Sequence, residues 1–130
     1  CIRDRDRRLG QALLRLLADL DVPGTEDAHD RQLSFTAVFV MAARHWRIPP
    51  MVALQGLMWI FVEGQVTAAI RLVPLGHTAG QRILVHAVGP IEQAAARAAA
   101  MGDEDIGNLA PALAMASAWH ETQYSRLFQS

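Results

Sequence analysis

The chain has 130 residues, of which 52% are hydrophobic and 19% charged, and its formal net charge is −1. This length provides enough polypeptide for one domain with a single core, and the composition is too apolar for a disordered segment. A near-neutral chain lacks the basic excess with which proteins bind a nucleic-acid backbone or an anionic membrane surface, so neither is predicted as a partner.

The residue types that are missing exclude several mechanisms. All twelve basic residues are Arg, so this chain has no Walker A lysine, Schiff-base lysine or Ser/Lys dyad. The single cysteine, Cys1, excludes an internal disulfide and a multi-cysteine zinc site, and it fits a reducing cytoplasm. The sequence shows no signal peptide and begins without Met. We therefore expect a cytoplasmic protein in which Cys1 is an interior position of a longer chain.

The first third of the chain predicts two helices. Over residues 6–20 the apolar positions recur at helical spacing opposite polar ones, which predicts an amphipathic helix. These apolar positions are Leu9, Leu13, Leu16, Leu17 and Leu20. Residues 21–32 contain Pro-Gly and four acidic residues, which predicts a solvated connection. Residues 34–46 start with strand-like alternation but continue into an alanine-rich stretch, which favours a helix.

The centre of the chain predicts a long buried helix. Two prolines, Pro49 and Pro50, can start it, since proline is tolerated at a first helical position. The run to Val73 is apolar on nearly every face, as in the middle of a bundle. Its longest apolar tract, residues 48–62, is too short and too interrupted to span a membrane.

The last third of the chain predicts two more helices. After Pro74 and Gly76, the spacing of Thr78 and Gln81 predicts a capping box that starts a helix. Pro90 should end or kink this helix, which resumes as an alanine-rich segment over residues 91–101. A turn at residues 102–105 follows, and Pro111 opens a final helix through Ala118. With no strand pair or repeat, the sequence predicts one all-α domain over residues 1–130, a multi-helix bundle.

Catalytic and metal-binding patterns are weak. The five histidines (29, 45, 77, 86 and 120) show none of the HxH, HxxxH or HExxH spacings, so no local metal site and no cofactor are predicted, while a site assembled only in the fold or across subunits stays open. The segment from Gly76 to Gly80 resembles a phosphate-binding turn, but no strand precedes it and no lysine follows it. Ser125, His120 and Glu121 are too close in sequence for a triad, so no catalytic residue is predicted.

The C-terminal segment has the residue types of a docking surface. Aromatic and Arg side chains are enriched at interface hot spots, and here they follow an alanine-rich helix. They are Trp119, Tyr124, Arg126 and Phe128.

Two segments carry a resemblance to a known family. Residues 73–82, VPLGHTAGQR, resemble the VPLGQTAGQR segment of the UreF urease accessory proteins, and residues 120–130, HETQYSRLFQS, resemble that family's C-terminal HETQYSRLFRS. The resemblance covers the whole chain as the C-terminal part of such a protein. Two positions depart from the pattern, since His77 stands where the family more often has Gln, and Gln129 where it often has Arg.

The resemblance implies a non-enzymatic, all-helical chaperone that forms a homodimer. Such proteins act with a UreD/UreH-type accessory protein and the GTPase UreG to deliver nickel to apo-urease. Two other classes stay open: a helical metal- or nucleotide-dependent enzyme whose catalytic groups lie in an N-terminal part outside this chain, and a helical DNA-binding regulator, which the near-neutral charge disfavours.

The resemblance also suggests roles for individual residues. A partner-binding role follows for five C-terminal residues: His120, Glu121, Tyr124, Arg126 and Phe128. Four residues would shape the turn and cap before the fourth helix: Gly76, Thr78, Gly80 and Gln81. Arg82 would act on the GTPase, since an arginine can stabilise a transferring phosphoryl group in trans, although an ordinary helix-face salt bridge is favoured over that role.

Overall fold

The computed structural model describes residues 2–28, 31–73, 75–107 and 111–122, and within these ranges it contains helices and no strand. The α-helices are α1 (Ile2–Asp19), α2 (Phe35–His45), α3 (Pro50–Leu72), α4 (His77–Ala99) and α5 (Pro111–Glu121), with a short 3-10 helix at Asp103–Asp105. The prediction of an all-α fold is confirmed, and so is the choice of helix over strand for residues 34–46.

The chain divides into two compact units. Unit 1 comprises Cys1–Val38 and Glu104–Ser130, and unit 2 comprises Phe39–Asp103, so the boundary falls inside α2. That residues 1–130 behave as one domain stays a prediction.

The core of unit 1 is built on one edge of α1. Leu14 and Leu17 are 2% and 1% exposed, and Val38 of α2 is completely buried. Of the five leucines expected to face the core, Leu17 is buried, whereas Leu9 and Leu16 are about half exposed. The apolar arc of α1 is wider than one neighbour can cover, so the protein buries the edge that carries Leu14 and leaves the other edge accessible.

The connection after α1 is partly buried, so the prediction of a solvated segment is wrong for three of its residues. Val22, Thr25 and Ala28 are each at most 5% exposed. The Thr25 hydroxyl donates a hydrogen bond to the Val22 carbonyl at 3.0 Å, which satisfies this buried polar group within the turn itself. Every third residue of this segment is therefore buried. The sequence analysis did not predict this, because the neighbouring residues are acidic and favour an exposed segment.

Helices α1 and α2 end in the same way. Asp21 and Arg47 each have a φ of 55°, the left-handed conformation that usually favours glycine. The next amide reaches back five residues in both cases: Val22 N–H donates to the Leu17 carbonyl at 3.0 Å, and Ile48 N–H donates to the Ala43 carbonyl at 2.8 Å. These are Schellman motifs, which satisfy the last carbonyls of each helix without a glycine.

Helix α1 also supports the start of α2. The Phe35 N–H donates to the Asp6 carboxylate at 3.1 Å, and the Ala37 N–H donates to the Ser34 hydroxyl at 3.2 Å. The backbones come close at this point, since a Cβ added to Gly10 would collide with the Leu33 carbonyl oxygen. The Asp6 carboxylate thus satisfies a free N–H group at the N-terminus of a helix other than its own.

In unit 2, α3 and α4 form an antiparallel hairpin. One face of α4 is buried along its length, with residues that recur every three, four or seven positions. They are Gly80, Leu84, Ile91 and Ala95. On α3, Val66 is the fully buried residue.

Pro90 lies inside α4, which continues to Ala99, so of the two predicted effects Pro90 does not end the helix. Proline normally crowds the Cβ of the preceding residue, but that residue is Gly89, which has none. The ring also removes a hydrogen bond to the carbonyl of His86, an exposed residue whose carbonyl can be hydrated instead.

Within the described ranges, α3 is the helix long and apolar enough to cross a membrane, by length and composition only. The sequence analysis judged residues 48–62 too short to span a membrane, but the helix that contains most of them is 23 residues long. The C-terminal half of α3 packs against α4 of the same chain, because Val66 and Ile70 lie against Gly80.

Candidate functional site

The residues expected to shape a turn and a cap lie where α3 passes into α4. Val73 ends α3 in an extended conformation, and its N–H donates to the Ala69 carbonyl at 2.9 Å. The Leu75 N–H donates to the Val73 carbonyl at 2.6 Å. On the other side of the turn, the Gly80 N–H donates to the Gly76 carbonyl at 3.1 Å, the first helical bond of α4. Backbone hydrogen bonds therefore define both ends of the turn.

The expected capping box does not form. The N-cap of α4 is Gly76, and it makes no side-chain capping bond, so the helix starts one residue before Thr78. Thr78 is thus already helical, with its side chain exposed, and Gln81 is exposed one turn later. A capping box requires its Ser or Thr at the non-helical N-cap position, which this register gives to glycine.

The two glycines of the turn have different reasons to be small. Gly76 has a φ of −61°, which any residue can adopt, and a Cβ there would meet nothing within 4 Å. Gly80 is buried, and a Cβ there would lie 2.5 Å from Ile70 Cδ1 and 3.3 Å from Val66 Cγ1. Gly80 therefore permits the close approach of α4 to α3, whereas Gly76 occupies the N-cap position, where glycine is preferred over larger apolar residues.

Around this contact, the start of α4 presents polar side chains to solvent. His77, Thr78, Gln81 and Arg82 are all exposed. His77, one of the two departures from the family pattern, is thus not packed into the turn. The first turn of α4 contains no acidic residue, so hydrogen-bond donors and one guanidinium lie next to the positive end of the helix dipole.

The second group of expected site residues lies at the end of α5. Trp119 is 64% exposed, and its carbonyl accepts hydrogen bonds from the Thr122 hydroxyl at 2.9 Å and the Thr122 N–H at 3.2 Å. His120 and Glu121 belong to the last turn of this helix. The structure does not describe the side chains of His120 and Glu121. Three more expected site residues lie outside the described residues: Tyr124, Arg126 and Phe128.

The two groups belong to different units, the turn to unit 2 and the end of α5 to unit 1. Among the described residues, no group of three or more His, Cys, Asp or Glu side chains is placed to hold a metal ion.

The sequence reasoning missed two close structural roles. Gly10 is a point of backbone contact between α1 and the segment before α2, and Asp6 accepts a hydrogen bond from a residue 29 positions away. A glycine inside a strongly predicted helix is a usable signal of close packing. No local signal identifies the partner of Asp6.

Comparison with known proteins gives a consistent result. The UreF family model matches residues 2–88, about two thirds of the chain. The chain belongs to the UreF family. The predicted membership of this family is therefore confirmed.

Individual relatives extend the UreF match to nearly the whole chain. A protein of Brucella anthropi named urease accessory protein UreF 2 is 57% identical over 126 residues, which cover 96% of this chain and 56% of that protein. Urease accessory protein UreF of Alkalilimnicola ehrlichii is 45% identical over 130 residues, covering 99% and 57%, and that of Hahella chejuensis is 42% identical over 127 residues, covering 98% and 57%. This UreF-family chain thus spans just over half the length of these relatives. No solved structure matched it.

Proposed function

We propose that this chain is part of an accessory protein for urease maturation and has no catalytic activity of its own. The observation that carries the proposal is the 57% identity, over nearly the whole chain, to a protein named as a urease accessory protein. The absence of lysine agrees with it, because this chain cannot supply a Walker A lysine for nucleotide hydrolysis.

In this proposal the protein acts in the cytoplasm and bridges a UreD/UreH-type accessory protein and the GTPase UreG on apo-urease. Nickel is the cargo of the assembly, and GTP hydrolysis belongs to UreG. The protein works as a homodimer. Accessible apolar side chains support a role in assembly, since Phe61 of α3 is 64% exposed and Val85 of α4 is 70% exposed.

Docking of the UreD/UreH-type partner is assigned to the end of α5 and the segment after it. Trp119 already presents an exposed indole one residue before that segment. A run of aromatic and Arg side chains next to an exposed tryptophan provides the residue types that dominate binding energies. The segment contributes His120, Glu121, Tyr124, Arg126 and Phe128 to this surface.

The turn before α4 serves a second contact. Gly80 fixes how closely α4 approaches α3, which sets the position of the exposed polar side chains of the first turns. Arg82 is exposed among them and is the residue we assign to the GTPase. A guanidinium at this place can pair with phosphate oxygens or with carboxylates of UreG.

Truncation tests the docking role. In the full-length protein, removal of residues 120–130 should leave the helical signal in circular dichroism nearly unchanged and remove most of the affinity for the UreD/UreH-type partner. Single changes should identify the anchors: Tyr124→Ala or Arg126→Ala should each cost about 2 kcal/mol, roughly thirtyfold in affinity.

Gln129→Ala serves as the matched control, because position 129 already departs from the family pattern, and it should cost less than either anchor. Titration and circular dichroism are carried out on the same preparations. A truncated protein that binds as tightly as the intact one would show that the terminus does not dock the partner, and loss of the helical signal would show that it is structural core.

A further inference from the structure

The packing between α3 and α4 is interrupted halfway along the hairpin. On α4 the buried positions are 80, 84, 91 and 95, and helical spacing would place another at 87 or 88. Instead, Ala87 is partly buried and Val88 is 45% exposed. Over residues 85–90 of α4 and 59–65 of α3, every residue is exposed or partly buried. The hairpin therefore has two packed ends with a loosely packed level between them.

The loosely packed stretches of the two helices lie opposite each other. Gly80 lies against Val66 and Ile70, and this contact fixes the alignment of the two antiparallel helices. Each further residue along α4 then corresponds to one residue back along α3, since both helices rise by the same amount per residue. Residues 85–90 are five to ten positions beyond Gly80, which places them level with about residues 58–63 of α3.

Both helices carry residues that weaken a helix close to this level. Gly89 and Pro90 follow one another inside α4, and glycine and proline are the two residue types least favourable in a helix interior. Packing within the chain requires neither of them, because a Cβ at Gly89 would meet nothing within 4 Å and Pro90 is exposed. On α3, Gly64 is exposed and has the same open space.

The local backbone allows α4 to bend here at little cost. Sharp bends in helices occur almost always at proline or glycine. Pro90 has no N–H, so the His86 carbonyl has no helical donor, and a bend at this point breaks no hydrogen bond to it. On either side of this level, the buried residues hold each end of the hairpin together as a body.

We infer that the hairpin has a hinge at the level of Gly89 and Pro90. The tip of the hairpin, which comprises residues 66–84, moves at this hinge relative to the base, which comprises residues 50–58 and 91–99. The tip carries the turn before α4 and the exposed Arg82, so the hinge changes the direction in which this arginine is presented. The inference does not depend on the proposed role in urease maturation.

Residual dipolar couplings of backbone amides in the deuterated full-length protein test the hinge, because they report how each helical segment is aligned. Residues 77–84 should give a different alignment magnitude from residues 91–99, since motion averages the couplings of a segment. In the variant Gly89→Ala/Pro90→Ala, which places two good helix formers in open positions, both segments should give the same magnitude. Helix α1 is the control: Gly10 is closely packed, so the segments before and after it should share one magnitude in both proteins.

Hydrogen exchange of the same full-length proteins provides a second measurement. The protection factors of the amides of residues 87–89 and 91–93 should be at least about tenfold higher in the double variant than in the parent. Pro50→Ala is the matched control, because proline at the start of α3 removes no helical hydrogen bond, and it should leave these factors unchanged. One alignment magnitude for both segments of α4 in the parent, magnitudes that still differ in the double variant, or equal protection in the two proteins would each overturn the inference.

Discussion

Gly10 marks a close backbone contact between α1 and the segment before α2, and its replacement by alanine should destabilise the protein. The added Cβ would overlap the Leu33 carbonyl oxygen and lie 2.9 Å from the Ser34 carbonyl carbon and 3.0 Å from the Phe35 nitrogen. All three are backbone atoms, so no side-chain rotation can relieve the overlap. Either α1 or the start of α2 must move.

The magnitude follows from three contributions. Overpacking of this kind costs about 1–3 kcal/mol. Movement of the α2 terminus weakens the hydrogen bond from Phe35 N–H to Asp6, which adds about 1 kcal/mol. The higher helix propensity of alanine stabilises the folded protein by about 1 kcal/mol and offsets part of this cost. We expect Gly10→Ala to lower the free energy of unfolding by about 2 kcal/mol.

Gly64→Ala is the matched control, because Gly64 is also inside a helix but a Cβ there would meet nothing within 4 Å. It should stabilise the protein by up to about 1 kcal/mol through propensity alone. Urea unfolding followed by circular dichroism compares the two variants with the parent protein. If Gly10→Ala raises the midpoint as Gly64→Ala does, the contact between α1 and residues 33–35 is not as close as described.

A double-mutant cycle with Asp6→Ala tests whether Gly10→Ala destabilises the protein by weakening the hydrogen bond from Phe35 N–H to Asp6. If alanine at position 10 displaces the start of α2, then removal of the Asp6 carboxylate should cost less in the Gly10→Ala background than in the parent. Additive effects would show that the hydrogen bond from Phe35 survives the substitution.

Two further predictions concern the helix pair and a helix end. Gly80→Leu should destabilise the protein by about 1–3 kcal/mol in the same unfolding assay, because the new side chain must displace Ile70 and Val66, whereas Gly64→Leu, at a helical position with open space, should not destabilise it. Arg47→Gly should stabilise it by about 0.5 kcal/mol, since it removes a left-handed strain of about 1–2 kcal/mol at a φ of 55° and adds a backbone entropy cost of about 0.5–1 kcal/mol. A lower thermal midpoint for Arg47→Gly would contradict this explanation.

Local sequence signals determined most of the helices. The start of α3 at Pro50 was predicted because proline fits the first helical turn, and the helix over residues 34–46 because its alanine-rich end and length outweigh the short alternation before it. The N-cap of α4 was predicted two residues too late, at Thr78 instead of Gly76, because a Thr and a Gln at capping-box spacing also occur just inside a helix.

The family was also accessible from the sequence. The turn segment and the terminal segment are long enough to identify UreF, and the family match confirmed it. The part of the site placed on Tyr124, Arg126 and Phe128 lies beyond the described residues, so its role stays a prediction.

The sequence by itself determined which segments are helical and which residues are apolar, because these properties depend on neighbours within one or two turns. It did not determine which edge of α1 is buried, since Leu14 and Leu16 are equally apolar and only tertiary packing distinguishes a buried residue from a half-exposed one. Nor did it show that Asp6 bonds to the backbone of Phe35, or that Gly10 and Gly80 are sites of close approach. These properties arise where segments distant in the chain meet, and a contact between distant segments leaves no periodic signal in either one.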